Sequence, residues 1–271
     1  MPSTFSTALL LLSILLVPST ALPQPMTISD STKQPPTQLC GADASIVLSD
    51  TPWIIYNMFY NAKSSVGTQC TSYSHVSMSS SGAQTISWSS ETHIKNVPAT
   101  SNVPKGYAFI GLTKSLSTRL TSITSIPASY TWTLTNTTAY KGNICLDFMT
   151  APTAGDSTSS SAQELMLWLT STGGQLPIGW PKPTHTIPSL YGRSWKLYQG
   201  VNEDTGITVS SLLPDKGFEG EWEGDVKEWL AALVGVGVLK KDTFVNVGNA
   251  GTEYFWGDAV VNATVGLEIV L

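Results

Sequence analysis

Short stretches rich in β-branched and aromatic residues recur along the chain, and turn residues separate most of them. They are WIIYNMF (53–59), TISWSS (85–90), SYTWTLT (129–135), NICLDFMT (143–150), ELMLWLT (164–170), SWKLYQG (194–200), ITVSSLL (207–213), TEYFW (252–256) and AVVNATVGLEIVL (259–271). Many short strands with frequent turns are typical of a β-sandwich or a jelly roll, so the pattern predicts an all-β fold.

The 271 residues are enough for one large domain, or for one domain with a small appendage. From Cys40 onward no second linker and no clear repeat interrupts the strand pattern. We therefore predict one domain over residues 39–271.

Only 12% of the residues are charged, and 14 Lys and Arg stand against 19 Asp and Glu, which gives a formal net charge of −5. Abundant Ser, Thr and Gly, with nine Trp and nine Tyr, suit an extracellular all-β domain. A mildly acidic chain lacks the positive field that attracts nucleic acid or anionic membranes. We expect neither as a partner.

The amino-terminal segment has an apolar run from Ala8 to Val17, followed by small residues up to Ala21. This pattern predicts a secretory signal peptide over residues 1–21, although no Lys or Arg precedes the run; an uncleaved anchor is the alternative. Residues 22–38 are polar and proline-rich, which favours a disordered leader. The expected location is extracellular.

Three cysteines and two sequons agree with export. Cys40 and Cys70 lie nearest each other in sequence and flank a predicted hairpin, so we pair them in a disulfide. Cys145 is then expected to be a buried free thiol. The sequons at Asn136 (NTT) and Asn262 (NAT) are candidate N-glycosylation sites.

One segment has a helical period instead of alternation. In GDVKEWLAALVGVGVL (224–239), Val226, Trp229, Leu230 and Leu233 recur at i, i+3, i+4 and i+7, which forms one apolar stripe. Asp225 is well placed to cap this helix. The simplest interpretation is a single helix packed on the outside of the sandwich.

The stretch ELMLWLT places an acid inside an apolar strand. Because side chains alternate along a strand, its three leucines face one way, whereas Glu164, Met166 and Trp168 face the other. The leucine face belongs between two sheets. The Glu-Met-Trp face is then either a sugar-binding cleft or an ordinary mixed surface.

A second acid favours the cleft. In NAGTEYFWG (249–257), Glu253 shares a face with Phe255, and Asp147 lies between apolar residues in CLDFMT. Two acids facing one cleft are what glycoside hydrolysis requires, one as nucleophile and one as proton donor. Asp147 is a candidate third acid of the same cleft, or alternatively a structural acid that bonds the backbone.

Several motifs in order resemble glycoside hydrolase family 12. They are WIIYNMF…GTQC, DFMTA, ELMLWL, PIG (177–179), SWKLYQGVN, the GDVKEWL helix and GTEYF. The resemblance runs from about Cys40 to the end. It implies a β-jelly roll of two curved antiparallel sheets, with a cleft across the concave face and one helix on the back.

The resemblance also implies roles. Glu164 matches the nucleophile of the family, Glu253 matches its acid/base, and Asp147 matches an aspartate beside the nucleophile. Met166, Trp168 and Phe255 match residues that contact the sugar. Cys40 and Cys70 match the first disulfide of the family.

The sequence departs from the family on the non-reducing side of the cleft. The usual Asn-Asn-Leu-Trp reads Asn57, Met58, Phe59, Tyr60 here, and a Trp-rich stretch after Trp88 is shortened. We nevertheless interpret Asn57, Tyr60 and Trp88 as further substrate-binding residues. In the acid/base motif, Tyr254 replaces a proline.

Signatures of other enzyme classes are missing from the sequence. His75, His93 and His185 are scattered, and neither His-x-x-x-His nor Cys-x-x-Cys occurs, which argues against a metal site. No Gly-x-Ser-x-Gly elbow and no dinucleotide or Walker fingerprint is present. We therefore expect no cofactor.

The function that the resemblance implies is a secreted, monomeric endo-β-1,4-glucanase of the cellulase type. It would cleave β-glucan, cellulose or xyloglucan of plant cell walls with retention of anomeric configuration. The alternative is a non-catalytic glycan-binding β-sandwich, or a secreted decoy or elicitor that retains the fold.

Overall fold

The computed structural model describes residues 37–80 and 82–271, which form fifteen strands and one α-helix. In chain order the strands are β1 Thr37–Leu39, β2 Asp43–Val47, β3 Trp53–Met58, β4 Gly67–Met78, β5 Gln84–Ile94, β6 Gly106–Leu112, β7 Thr118–Arg119, β8 Pro127–Asn136, β9 Lys141–Ala151, β10 Gln163–Thr172, β11 His185–Leu190, β12 Arg193–Val201, β13 Thr208–Pro214, β14 Glu221–Asp225 and β15 Phe244–Leu267. The helix α1 spans Val226–Gly235.

The predicted signal peptide and most of the predicted leader lie outside the described residues. Thr37 and Gln38, which the prediction assigned to the leader, belong to β1 and pair with β4. In the part of the chain that the structure describes, no helix is both long and apolar enough to cross a membrane.

The strands form two sheets, as predicted for an all-β jelly roll. The long sheet has the order β2-β3-β6-β15-β9-β10-β13-β12-β11, with β7 paired to the start of β15. The short sheet has the order β1-β4-β5-β15-β8-β14. Adjacent strands run antiparallel except β10 and β13, which are parallel. The expectation of purely antiparallel sheets is wrong at this pair, because β13 enters between β10 and β12 after the chain has built β11 and β12.

Strand β15 belongs to both sheets and connects them. Residues 244–256 pair with β6, β7 and β9, whereas residues 257–267 pair with β5 and β8. The sequence predicted two strands here, separated at Gly257. That separation is wrong, because Gly257 has φ +116° and a Cβ there would lie 2.5 Å from the Ala139 carbonyl oxygen. Glycine therefore lets one strand bend from the first sheet into the second.

The core lies between the sheets, and alternation selects its members. Leu165, Leu167 and Leu169 are fully buried, which confirms that the leucine face of ELMLWLT points inward. The predicted helical stripe is buried too, and Trp229 packs edge-on against Phe148 with ring centroids 5.9 Å apart. One side of the helix thereby packs into the core, and its other side, with Glu228 and Ala231, is exposed.

Asp225 caps the helix as predicted. Its carboxylate accepts hydrogen bonds from the Lys227 N–H at 2.9 Å and from the Ile126 N–H at 2.7 Å. One side chain therefore satisfies a free donor at the helix start and ties the helix to the beginning of β8.

Cys40 and Cys70 form the predicted disulfide, and Cys145 is free and buried as predicted. Asn57 anchors the chain on both sides of this disulfide. Its side-chain N–H2 donates to the carbonyl oxygens of Gly41 at 2.9 Å and Gln69 at 3.1 Å, and its oxygen accepts from the Thr71 hydroxyl at 2.8 Å. Asn57 is fully buried, so these bonds are shielded from water.

We predict that Asn57→Ala lowers the free energy of unfolding by about 2–3 kcal/mol. The truncation leaves the buried polar groups that Asn57 bonds without hydrogen-bond partners. Urea unfolding of the oxidised protein measures this change. Thr68→Ala is the matched control, since Thr68 lies on the same strand β4 but is exposed. Equal stability of the two variants would contradict the anchoring role.

Candidate active site

One face of the long sheet carries the predicted acids. Across the antiparallel pair β9–β10, Asp147 lies opposite Met166 and Glu164 lies opposite Met149. Residues that oppose each other in a ladder point to the same side of a sheet. Glu164 and Asp147 therefore share the face that is turned away from the leucine core, and we call it the acid face.

Glu253 reaches the acid face from β15, which pairs with the other edge of β9. The Asn143 side-chain oxygen accepts from the Glu253 backbone N–H at 3.0 Å, and its Nδ2 donates to Glu253 Oε2 at 3.3 Å. Gln175 Nε2 donates to the same oxygen at 2.5 Å. Two side-chain amides thus fix the orientation of the Glu253 carboxyl group.

The three acids lie close together and are half-buried, and this raises their pKa values. Burial raises the pKa of Glu164 to about 7. Burial and then the charge of Glu164 raise the pKa of Glu253 to about 8, although the hydrogen bonds from Gln175 and Asn143 oppose that increase. Burial disfavours the ionised form of any carboxyl, and a neighbouring negative charge adds to the effect.

Asp147 has a strongly raised pKa, first through burial and then through the charges of Glu164 and Glu253. Among the described residues no donor reaches its buried Oδ1 atom. A carboxyl that is crowded by two others and lacks a donor favours its protonated form. Asp147 is therefore part of the acid cluster, and the alternative of an ordinary backbone-bonding acid does not fit its surroundings.

Tyr60 lies beside the acids, on the segment after β3. Its side chain is 47% exposed, and the charges of the acids act on its hydroxyl. The pKa of Tyr60 is raised well above its usual range by burial first, then by the charges of Glu253 and Glu164. The structure thus brings this sequence-predicted residue to the acid cluster.

Met166 and Trp168 lie on the acid face as alternation predicted, but they are only 5% and 2% exposed. They form a second apolar cluster, distinct from the core between the sheets, with Tyr107, Phe109, Cys145 and Val209. Both residues therefore lie on the acid face beside the acids, and neither presents a broad open surface to a sugar.

Phe255 is 2% exposed, and the Lys141 ammonium lies 5.5 Å from its ring centroid. That ammonium also donates to Asn102 Oδ1 at 2.8 Å. The ring predicted to contact substrate is thus covered in this structure.

Asn57 and Trp88 are corrections. Side-chain alternation on β3 directs Tyr56 and Met58 to the acid face and Asn57 to the opposite side. There the Asn57 side-chain amide makes the buried hydrogen bonds described above. Trp88 is 3% exposed and lies in the core on β5 of the short sheet. Neither residue is placed to bind substrate on the acid face.

Three residues of this site were not identified from sequence. Asn143 had a usable signal, because it precedes Asp147 by four residues on one strand and so shares its face. Tyr107 had none, since the strand GYAFIGL is buried throughout and does not alternate. Gln175 had none either, since it comes from a loop whose path no periodicity predicts.

A groove of about 740 Å³ lies elsewhere, on the outer face of the short sheet. Its lining includes Asn262 and many Ser and Thr residues, but none of the three acids. Asn262 and Asn136 are both exposed, so both sequons are accessible and N-glycosylation at them stays a prediction.

Comparison with known proteins agrees with this geometry. The model of glycosyl hydrolase family 12 matches residues 51–267. The xyloglucan-specific endo-β-1,4-glucanase A of Aspergillus aculeatus is 32% identical over 203 residues, covering 75% of this chain and 79% of that protein. A protein of Phytophthora nicotianae named inactive glycoside hydrolase XLP1 is 28% identical over 206 residues, covering 76% and 80%.

Solved structures show the same fold. Endoglucanase 3 of Trichoderma harzianum, from family 12, superposes with a TM-score of 0.73 at 23% identity, covering 86% of this chain and 97% of that chain. The family model matches most of the sequence, and the structural similarity agrees with it. The chain therefore belongs to glycosyl hydrolase family 12.

Proposed function

We propose that this protein is a secreted, monomeric endo-β-1,4-glucanase that retains anomeric configuration. The observation that carries the proposal is the placement of Glu164 and Glu253 on the acid face, where Asn143 and Gln175 orient Glu253. Burial raises the pKa of Glu164 to about 7, and burial together with the charge of Glu164 raises that of Glu253 to about 8. Two acids in one site whose environments separate their pKa values divide the roles of base and acid.

Between these two values Glu164 is ionised while Glu253 still holds its proton. Glu164 then attacks the anomeric carbon as Glu253 protonates the leaving oxygen, which yields a covalent glycosyl-enzyme. Glu253, now ionised, takes a proton from the water that releases the sugar. A retaining mechanism requires the two carboxyl groups to lie about 5–5.5 Å apart, and this separation stays a prediction.

Asp147 and Tyr60 adjust the charge at the site in this scheme. A protonated Asp147 adds no third negative charge and can donate to the ionised Glu164. Tyr60 stays neutral because its pKa is raised, so its hydroxyl can donate to a carboxylate or to a sugar oxygen.

The substrate class follows from the relatives. The Aspergillus aculeatus relative is named for xyloglucan, so we propose a plant cell-wall β-glucan substrate such as xyloglucan, mixed-linkage β-glucan or cellulose. The proposed extracellular location rests on the amino-terminal sequence.

A non-catalytic glycan-binding protein is the second candidate. The observation that favours it is the burial of Met166, Trp168 and Phe255, which leaves little open surface at the acids. The similarity to a protein named inactive points the same way. Release of reducing sugar from barley β-glucan, xyloglucan or carboxymethyl cellulose supports the enzyme, whereas binding without release on all three supports the second candidate.

We predict that Glu164→Gln lowers turnover of the best of these substrates by a factor on the order of 10³ or more, because the nucleophile is lost. Glu219→Gln is the matched control, since the Glu219 side chain is 82% exposed and remote from the acid cluster. Substantial turnover by Glu164→Gln would overturn the assignment of the nucleophile.

The pH profile of kcat/KM is predicted to be bell-shaped. Activity rises as Glu164 ionises near pH 7 and falls as Glu253 loses its proton near pH 8. Gln175→Ala removes a hydrogen bond that stabilises ionised Glu253, so the pKa of Glu253 increases and the alkaline limb moves to higher pH. An unmoved alkaline limb, with the acid limb shifted instead, would reverse the two roles.

Stability should depend on pH in a direction that tests the site without any substrate. Both glutamates have folded pKa values above the usual 4.5, so the folded state binds more protons than the unfolded state between about pH 4.5 and pH 8. The free energy of unfolding therefore falls as pH rises through this window. In urea titrations at pH 5 and pH 8, Glu253→Gln should lose part of that fall, and an identical fall in wild type and variant would contradict the burial.

A further inference from the structure

The loop between β10 and β11 exposes three apolar side chains. Leu176, Ile178 and Trp180 are 40%, 39% and 50% exposed, although they lie within five consecutive residues. Exposed apolar clusters on a soluble protein often mark binding surfaces. We call residues 175–180 the acid-face loop.

This loop is held firmly against β12. Gly179 has φ +90°, and a Cβ there would collide with the Gln199 carbonyl oxygen. A Cβ at Gly200 would lie 2.5 Å from a methyl carbon of Ile178. Such close approach is possible only because both positions are glycine, so the loop conformation is built into the sequence.

The part of β12 beneath the loop belongs to the acid face. Tyr198 lies opposite Ser211, Ser211 opposite Met166, and Met166 opposite Asp147. Likewise, Gly200 lies opposite Val209 and Val209 lies opposite Glu164, so these three residues form a second row across the strands. Adjacent strands are about 4.8 Å apart, so Tyr198 lies roughly 14 Å from Asp147 across the same face.

Trp180 adds an exposed aromatic ring next to Tyr198, at the end of the row that leads to Asp147. It packs on Tyr198 with ring centroids 5.5 Å apart and an angle of 35° between the planes. Tyr198 is only 4% exposed, so Trp180 presents the free aromatic surface of the pair. An indole supported from beneath loses little conformational freedom when a ligand stacks on it.

The other end of the same loop touches the acid/base candidate. Gln175 Nε2 donates to Glu253, as described above, while its own side-chain oxygen is buried and meets no donor among the described residues. One loop thus joins the proposed acid/base residue to an exposed aromatic ring.

We propose that Trp180, backed by Tyr198, is a sugar-stacking subsite for a β-1,4-linked gluco-oligosaccharide, at the end of the acid face opposite Met58 and Tyr60. The apolar C–H face of a glucosyl unit lies on the indole, several units away from the bond that is cleaved. This subsite rests on the proposed function, and it adds a length requirement, since only longer chains span the acids and the indole together.

The test compares wild type, Trp180→Ala and Trp180→Phe on β-1,4-gluco-oligosaccharides of increasing length. For the longest substrates Trp180→Ala should lower kcat/KM about three- to tenfold through a higher KM, as expected for loss of one aromatic contact. For the shortest substrates it should match wild type. Trp180→Phe should recover most of the loss. Met78→Ala, which truncates an exposed apolar residue on β4, should leave kcat/KM unchanged for both the longest and the shortest substrates.

The outcomes separate this inference from the proposed function. If wild type cleaves glucans and Trp180→Ala equals it at every length, the subsite is wrong and the proposed function stands. If wild type cleaves nothing, the proposed function fails, and calorimetric titration with the longest oligosaccharide tests the subsite alone. Binding that weakens only in Trp180→Ala supports the subsite, and equal or absent binding overturns it. A change of sedimentation coefficient in Trp180→Ala instead assigns the patch to a protein contact and also overturns the proposal.

Discussion

The partial burial of three carboxyl groups on one face of the long sheet is the constraint on which the account depends. Water would stabilise Glu164, Glu253 and Asp147 as three anions, and the protein removes part of that water. Each group then responds to its neighbours. Glu253 gains a further increase in pKa from the charge of Glu164, and two amides restrain its orientation. Two chemically identical side chains thereby have different surroundings, on which the proposed division of their roles rests.

The rest of the fold holds these acids together. Strand β15 delivers Glu253 to one edge of β9, and β10 delivers Glu164 to the other. The second apolar cluster, which contains Met166 and Trp168, packs beside them on the same face. Because leucines fill the opposite side of β10, a register slip of one residue would bury the acid in the core and expose the leucines. The strong preference of the leucines for the core therefore also fixes the direction of Glu164.

Side-chain alternation along strands and the helical spacing of apolar residues predicted much of this structure from the sequence. They placed the leucines of β10 inward, Glu164 outward and the stripe of α1 in the core, since each depends on local geometry. They failed where a tertiary contact decides. Gly257 was interpreted as a strand end because a glycine does not reveal which sheet follows it. Asn57 was assigned to substrate because its partners Gly41 and Gln69 are distant in sequence, and Gln175 was overlooked because a loop path has no period.

The most direct test of the account is an NMR titration of the side-chain carboxyl carbon of Glu253 in wild type and in Glu164→Gln. The account predicts that the pKa of Glu253 is near 8 in wild type, and that it falls in Glu164→Gln because a neighbouring negative charge is removed. A Glu253 carboxyl that titrates near the usual 4.5 in both proteins would show that the acids are neither buried together nor divided in role.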